Sequence, residues 1–188
     1  TRDTGMTALV GYAEKSAAPA GRPLRNAVAI LRGGRLVAKR YKSLLPTYDV
    51  FDETRYFEPG PDVELTPLAQ SPEISAGISI CEDLWNDDQF VERPLYHFNP
   101  IAALAGAGAR VLLNISASPF VLGKNEYRHK LFSFQAKRWG LPIAYVNQVG
   151  GNDELIFDGN SVIGDARGEV IAQARDFKED LLIADVPL

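Results

Sequence analysis

The sequence predicts an α/β layered sandwich with a mixed sheet, and three features carry that expectation. Two runs rich in Val, Ile, Leu and Ala, residues 26–32 and 35–41, flank Gly33 and Gly34, and a Gly pair supplies the positive φ angles of a two-residue hairpin. Residues 111–115 are a run, apolar but for Asn114, of the kind buried on both faces of a sheet. Residues 124–139 place Leu131, Phe132, Gln135, Ala136 and Trp139 on one face at helical spacing. Hairpins together with intervening helices call for both antiparallel and parallel neighbours. With 188 residues, 46% of them apolar, the chain can bury one core. Disorder, a disulfide-stapled miniprotein and a collagen-like repeat are disfavoured on the same grounds.

In chain order, residues 8–12 are a short apolar run that reads as a strand leading into the Ala/Pro/Gly stretch 17–23. The hairpin follows and leaves Lys42 where its second strand runs out. Residues 43–70 are rich in Pro, aromatics and acids without sustained periodicity and read as a long ordered loop, a kind that is usually functional. Residues 74–81 alternate, with Ile74, Ala76, Ile78 and Ile80 on one face and Ser75, Gly77, Ser79 and Cys81 on the other. That pattern predicts a strand ending at Cys81 on its small-residue face. Residues 94–108 read as a helix whose Ala and Gly permit close packing. The apolar strand 111–115 and the helix 124–139 come next, the helix capped by Gly140. Residues 143–149, 161–164, 170–174 and 181–185 are further strands, the middle pair joined by the turn Asp165, Ala166, Arg167, Gly168. No repeat, low-complexity tract or domain boundary is evident.

Charge narrows the function classes. There are 20 basic and 24 acidic side chains, scattered rather than clustered, for a net charge of -4, which leaves no footprint for nucleic acid or an anionic membrane. Charge-free stretches, residues 111–123 among them, are too short to span a bilayer. The start lacks a basic-then-apolar pattern, and one cysteine cannot build an internal disulfide framework. The cytoplasm is therefore the expected compartment. The absence of an initiator Met is expected of a processed or excised piece.

Cys81 is the only thiol and is followed by Glu82 and Asp83. A thiolate at a strand end can attack a carbonyl carbon when nearby groups take its proton and hold the oxyanion; the alternative is an inert core cysteine. The two carboxylates would raise the thiol pKa unless a cation intervenes. Lys42 can be that cation or an oxyanion donor, or else a solvated lysine beside Lys39 and Arg40. Asp49, Asp52, Glu53 and Glu58 match no calcium loop and read as surface acids. His97 and His129 lack a second ligand at zinc spacing and read as structural, so no metal is expected. Asn114, Ile115, Ser116 fits a glycosylation sequon by accident, inside an apolar strand. From Asn147 to Ser161, glycines and polar residues just beyond a strand either line a pocket or form an Asx-bonded turn. No phosphate loop, dinucleotide fingerprint or Ser-centred elbow is present.

Four segments in order carry a family resemblance: KSLLPTYDVFDETRYF at 42–57, ICEDLW at 80–85, NISASPF at 114–120 and YVNQVGGNDELIFDGNS at 145–161. On these the chain resembles the nitrilase, or carbon-nitrogen hydrolase, superfamily over about residues 8–185, and within it the glutaminase domains of glutamine-dependent NAD synthetases. The resemblance implies a nitrilase-like four-layer αββα sandwich with mixed sheets, lacking its N-terminal strand and helix, in one domain over residues 1–188. It implies a Glu, Lys, Cys triad in which Cys81 attacks the glutamine amide and Lys42 stabilises the tetrahedral intermediate. Ammonia then leaves and water hydrolyses the γ-glutamyl thioester. Glu53 matches the superfamily's additional glutamate near the site. Tyr48, Glu82, Ser118 and Lys124 match positions that help bind glutamine, Lys124 standing where some relatives have Arg. An amino acid's ammonium and carboxylate do ask for acceptors, a cation and hydroxyl donors.

By the same resemblance the glutaminase step needs no cofactor. Its ammonia goes to an ATP- and Mg-dependent synthetase domain, absent from this chain, that amidates deamido-NAD to NAD, and a homo-oligomer is expected. The family's triad glutamate lies before the strand matching residues 8–12, where nothing here corresponds, and Glu14 follows that strand. An N-terminally incomplete domain with impaired glutamine hydrolysis is therefore expected. A stand-alone amidase or carbamoylase of the superfamily would share Lys42 and Cys81 without the glutamine-binding set, and an inactive scaffold would keep only the sandwich.

Overall fold

The structure is a computed structural model that describes residues 1–68 and 71–188. Strand β1 (Thr7–Lys15) outruns its apolar centre because its polar flank still pairs, Lys15 standing opposite Leu24. The hairpin forms as its sequence predicts. β2 (Leu24–Arg32) and β3 (Arg35–Tyr41) turn through Gly33 and Gly34 at φ 56° and 72°, angles that glycine adopts without a Cβ clash. β1, β2 and β3 make a three-stranded antiparallel sheet.

The stretch expected as a loop at 43–70 is not wholly irregular. It contains a 3₁₀ turn, Glu53–Arg55, and a short strand, β4 (Leu65–Pro67); its last two positions, Ala69 and Gln70, lie outside the described residues. β5 (Ser75–Ile80) stops one residue before Cys81, which opens a 3₁₀ turn. The helix expected over 94–108 shrinks to α1 (Pro100–Gly106). Asn99 accepts from the Ala102 amide at 3.0 Å as its N-cap, and the residue before a proline is held out of the helical region. β6 (Val111–Ser116) follows, and α2 (Lys124–Trp139) has the predicted bounds, ending on Gly140 at φ 62°.

After β7 (Ile143–Asn147), a small hairpin, β8 (Val149–Asn152) and β9 (Leu155–Asp158), replaces the end of the strand expected at 143–149. β10 (Val162–Gly164) and β11 (Val170–Gln173) match their predictions. Residues 181–185 form no strand. They alternate, but no described strand pairs with them, and Leu181 and Ile183 are 83% and 82% exposed.

The second sheet has the order β11-β10-β7-β6-β5-β4, with β5, β6 and β7 parallel at its centre. On one face Ile101 and Leu104 of α1 and Leu131, Phe132 and Ala136 of α2 pack against Leu112, Ile143 and Val162. On the other, Ile78 and Ile80 meet Val28 and Ile30 of the first sheet. Each such Val, Leu, Ile or Phe side chain contributes about 1.5–3 kcal/mol on full burial. Arg32 and Arg40 tie the two sheets at the β4 edge, Arg32 donating to the Pro67 carbonyl at 2.7 Å and Arg40 to that of Glu64 at 2.9 Å. The described residues thus supply β, β and α layers, three of the four in the expected sandwich. Cys81, Ser116 and Asn147 fall together at the C-terminal ends of the parallel strands, where open α/β sheets bind ligands.

A glycine of β10 sets how closely α2 approaches the sheet. A Cβ on Gly164 would stand 2.3 Å from Phe132 Cζ and 3.0 Å from the Glu169 carbonyl oxygen. Gly164→Ala is expected to destabilise the fold by about 1–3 kcal/mol through overpacking. Gly106→Ala, in α1 with open space around it, is expected to be neutral or stabilising by up to about 1 kcal/mol. Urea unfolding of both variants checks this; equal midpoints would contradict it.

Candidate active site

Lys42 follows β3 directly, and its backbone is locked on both sides: its N–H donates to the Asn26 carbonyl at 2.9 Å and its carbonyl accepts from Gly60 at 2.7 Å. Its side chain is only 2% exposed, so the ammonium needs a partner. Glu53 provides it. Lys42 Nζ donates to Glu53 Oε1 at 2.7 Å, and the 3₁₀ turn holds Glu53 in place through its N–H to the Pro46 carbonyl at 3.1 Å and its carbonyl accepting from Phe57 at 2.9 Å. Glu53 Oε2 is buried with no hydrogen-bond partner among the described residues. Glu53 is therefore no surface acid, unlike exposed Asp49 and Asp52.

Cys81 sits at φ 45°, a left-handed backbone that costs a non-glycine residue of order 1–3 kcal/mol and clusters at functional sites. The turn swings the side chain off the line of β5 into a cavity of about 340 Å³ that Lys42, Glu53, Phe51, Ser116 and Gln148 also line. The thiol, the lysine and the glutamate expected from the sequence are thus in one chamber. A larger cleft of about 590 Å³, between Gly60 to Val63 and Leu95 to Phe98, carries neither the thiol nor the lysine.

Burial pushes the Cys81 thiol up, Lys42 pulls it down, and Glu82 and Glu53 push it up again, leaving it above the ordinary thiol value. The resting group is a thiol and needs a base to become a nucleophile. Glu14 is not that base: it accepts from Tyr41 Oη at 2.6 Å and from Lys39 and does not line the chamber. Beneath the thiol, Asn114 Nδ2 donates to Ser79 Oγ at 2.9 Å while Asn114 Oδ1 accepts from Ser116 Oγ at 2.6 Å. The sequon match is thus a buried hydrogen-bond relay under the site.

Glu82 is buried and accepts Tyr48 Oη on both oxygens, at 2.9 and 2.8 Å, and Tyr96 Oη at 3.3 Å. Burial raises the Glu82 carboxyl and the Tyr48 hydroxyl above their usual values. With Trp85, Arg93 and Tyr127 these groups line a second cavity of about 280 Å³. Lys124, the first residue of α2, places Nζ 5.6 Å from the Trp85 ring centre; burial lowers its pKa while the Cys81 and Glu82 charges raise it. Ser118 is buried, and its N–H donates to Asn147 Oδ1 at 2.8 Å. Asn147 also donates to the Gly159 carbonyl at 2.9 Å, so the Asn147 to Ser161 segment braces the site.

Tyr96 was not identified from sequence, since it lies in the stretch read as helix. Arg128 was missed too. It pairs with buried Asp158 behind β7, leaving Arg128 Nε and Nη1, Asp158 Oδ1 and Tyr145 Oη without partners among the described residues; burial pushes Tyr145 up to about 12. His129 is shifted down by burial, and no group of three or more His, Cys, Asp or Glu able to hold a metal occurs among the described residues. No helix among them is long and apolar enough to cross a membrane.

Comparison with known proteins adds to this geometry. The carbon-nitrogen hydrolase family model matches residues 1–188. The chain is 42% identical over 165 residues, 88% of its length, to a glutamine-dependent NAD(+) synthetase of Synechocystis, and 36% identical over its whole length to one of Thermotoga maritima. The solved structure of glutamine-dependent NAD+ synthetase from Acinetobacter baumannii superposes at a TM-score of 0.79, with 33% identity over 93% of the chain. The chain spans 29–30% of the length of these relatives. With a family match over every residue and relatives of this identity, the chain belongs to the carbon-nitrogen hydrolase (nitrilase) family and corresponds to the nitrilase-like region of the glutamine-dependent NAD synthetases.

Proposed function

We propose that this domain hydrolyses the side-chain amide of glutamine through a Cys81 thioester and that the ammonia serves ATP-dependent amidation of deamido-NAD. The observation that carries the reading is the single chamber holding Cys81, Lys42 and Glu53, with an amino-acid-sized set of charges beside it. A general base, the role that the family resemblance gives to a triad glutamate, takes the Cys81 proton, and Sγ adds to the amide carbon. Lys42 Nζ donates to the oxyanion, and a preorganised charge of this kind is usually the largest single contribution to such a step. Glu53 keeps the ammonium aimed, and its unpartnered Oε2 accepts an N–H of the substrate amide. Collapse of the intermediate breaks the C–N bond and releases ammonia, its extra proton being the one taken from the thiol. Water then adds to the thioester, giving glutamate and restoring the thiol.

Recognition of glutamine follows from charge. Glu82 faces the α-ammonium with the Tyr48 and Tyr96 hydroxyls holding its carboxylate, and Lys124 with Ser118 takes the α-carboxylate. The reaction needs no cofactor; ATP and Mg belong to the synthetase domain with which the remaining length of the relatives is consistent. A soluble cytoplasmic setting accords with this role.

Simple amides lack both charges that Glu82 and Lys124 recognise. Glu82→Gln and Lys124→Met are therefore expected to raise KM for glutamine by about tenfold or more, a loss of roughly 1.5–3 kcal/mol per charged hydrogen bond, and to leave turnover of propionamide unchanged. Steady-state ammonia release on both substrates is the measurement, and parallel losses on the two would contradict the assignment.

Glu53 has one oxygen on Lys42 and, in this reading, the other on the substrate amide, and Glu82 is held by two tyrosines, so neither is assigned as the general base. The 188-residue chain alone is expected to release ammonia from glutamine about 10²–10⁴-fold more slowly than an enzyme equipped with its base. Fast release by this chain, abolished by Cys81→Ala, would refute that expectation.

A further inference from the structure

Asp83 is buried to 2% exposure, and its carboxylate joins two segments remote in sequence. Oδ1 accepts from the Ser43 N–H at 3.0 Å and the Leu44 N–H at 2.8 Å, the two residues leaving Lys42. Oδ2 accepts from the Ile80 N–H at 2.9 Å, the residue entering Cys81. Among the described residues β3 and β5 share no backbone pairing, because they belong to different sheets, Lys42 following β3 and Cys81 following β5. We propose that Asp83 is a positioning residue whose carboxylate fixes the Lys42 ammonium against the Cys81 thiol. This rests on the reading that Lys42 and Cys81 act on the same carbonyl.

The energetics separate this role from a purely structural one. Burial pushes the Asp83 carboxyl up to about 6, outweighing the three amides and Lys42, which pull it down. A carboxyl raised in the folded state costs stability when ionised: the cost is full above pH 6 and relieved as pH falls toward the unfolded value. At neutral pH the ionised group is thus a net cost to the fold. What its three hydrogen bonds supply is the geometry of the sheet-to-sheet joint. In Asp83→Asn the shape is kept, but the amide nitrogen cannot accept, so one side of the bridge is lost.

The chain has a single thiol, so its alkylation by iodoacetamide reports on Cys81 alone. Alkylation rate against pH is measured for the wild type, Lys42→Met, Asp83→Asn and the double variant, with urea midpoints for each. Losing the nearby ammonium raises the thiol midpoint. Both single variants are expected to move it upward, Lys42→Met by on the order of one pH unit, and the double variant no further than Lys42→Met. If Lys42→Met moves the midpoint and Asp83→Asn does not, or if the two shifts add, the positioning role is overturned while the reading of the site stands. If Lys42→Met moves nothing, both fall. Should Asp83→Asn not fold, amide exchange of the wild type decides. Ser43, Leu44 and Ile80 are expected to exchange as one unit with equal protection, and fast exchange of Ser43 and Leu44 beside a protected Ile80 overturns the proposal.

Discussion

Removing a lysine ammonium from water costs several kcal/mol unless a carboxylate and good geometry compensate. Lys42 is placed in that position with Glu53 at 2.7 Å as its partner, and much of the site's local architecture follows from this pair. The 3₁₀ turn at Glu53–Arg55 sets the glutamate, the hydrogen bonds to Asn26 and Gly60 fix the lysine's backbone, and the inter-sheet contact of Val28 and Ile30 with Ile78 and Ile80 packs β2, and with it the neighbouring β3, against β5. Removing Glu53 would leave an uncompensated charge in the interior, the costly case for a buried pair.

The thiol is positioned from the other sheet. A positive φ at Cys81 turns its side chain out of β5, and the relay through Asn114, Ser79 and Ser116 supports the floor beneath it. Its thiol remains above the usual value despite Lys42, so in the proposed reaction the lysine acts chiefly on charge that develops after attack, not on a preformed thiolate. Glu82 is adjacent in sequence, but its bonds to Tyr48 and Tyr96 turn it to a second cavity. Neighbouring acids thereby take different places: Glu82 lines a cavity and Asp83 joins two segments of backbone.

Local chemistry was legible in the sequence where it settled structure locally. The Gly33 and Gly34 turn, the α2 bounds with Gly140, and Lys42 and Cys81 at strand ends could all be read. What remained hidden depends on tertiary partners. Tyr96 lies in a stretch whose small Ala and Gly residues read as helix, whereas Pro100 holds Asn99 in an extended conformation and the helix starts only there. β4 is three residues long and exists through its pairing with β5, so no periodicity could mark it. Residues 181–185 alternate like a strand, yet alternation specifies a strand only where a partner strand receives it. Arg128 is charged on a helix face otherwise read as apolar, and only the fold shows that Asp158 meets it there.

The central claim is that Cys81, opposite Lys42, is the atom that meets the substrate carbonyl. A diazoketone analogue of glutamine, with the reactive carbon where the amide stands, tests it by peptide mass spectrometry. The account predicts a single adduct on the peptide containing Cys81, formed more slowly in the presence of excess glutamine and strongly reduced in Lys42→Met. An adduct on another residue, or labelling of Cys81 indifferent to glutamine, would contradict it.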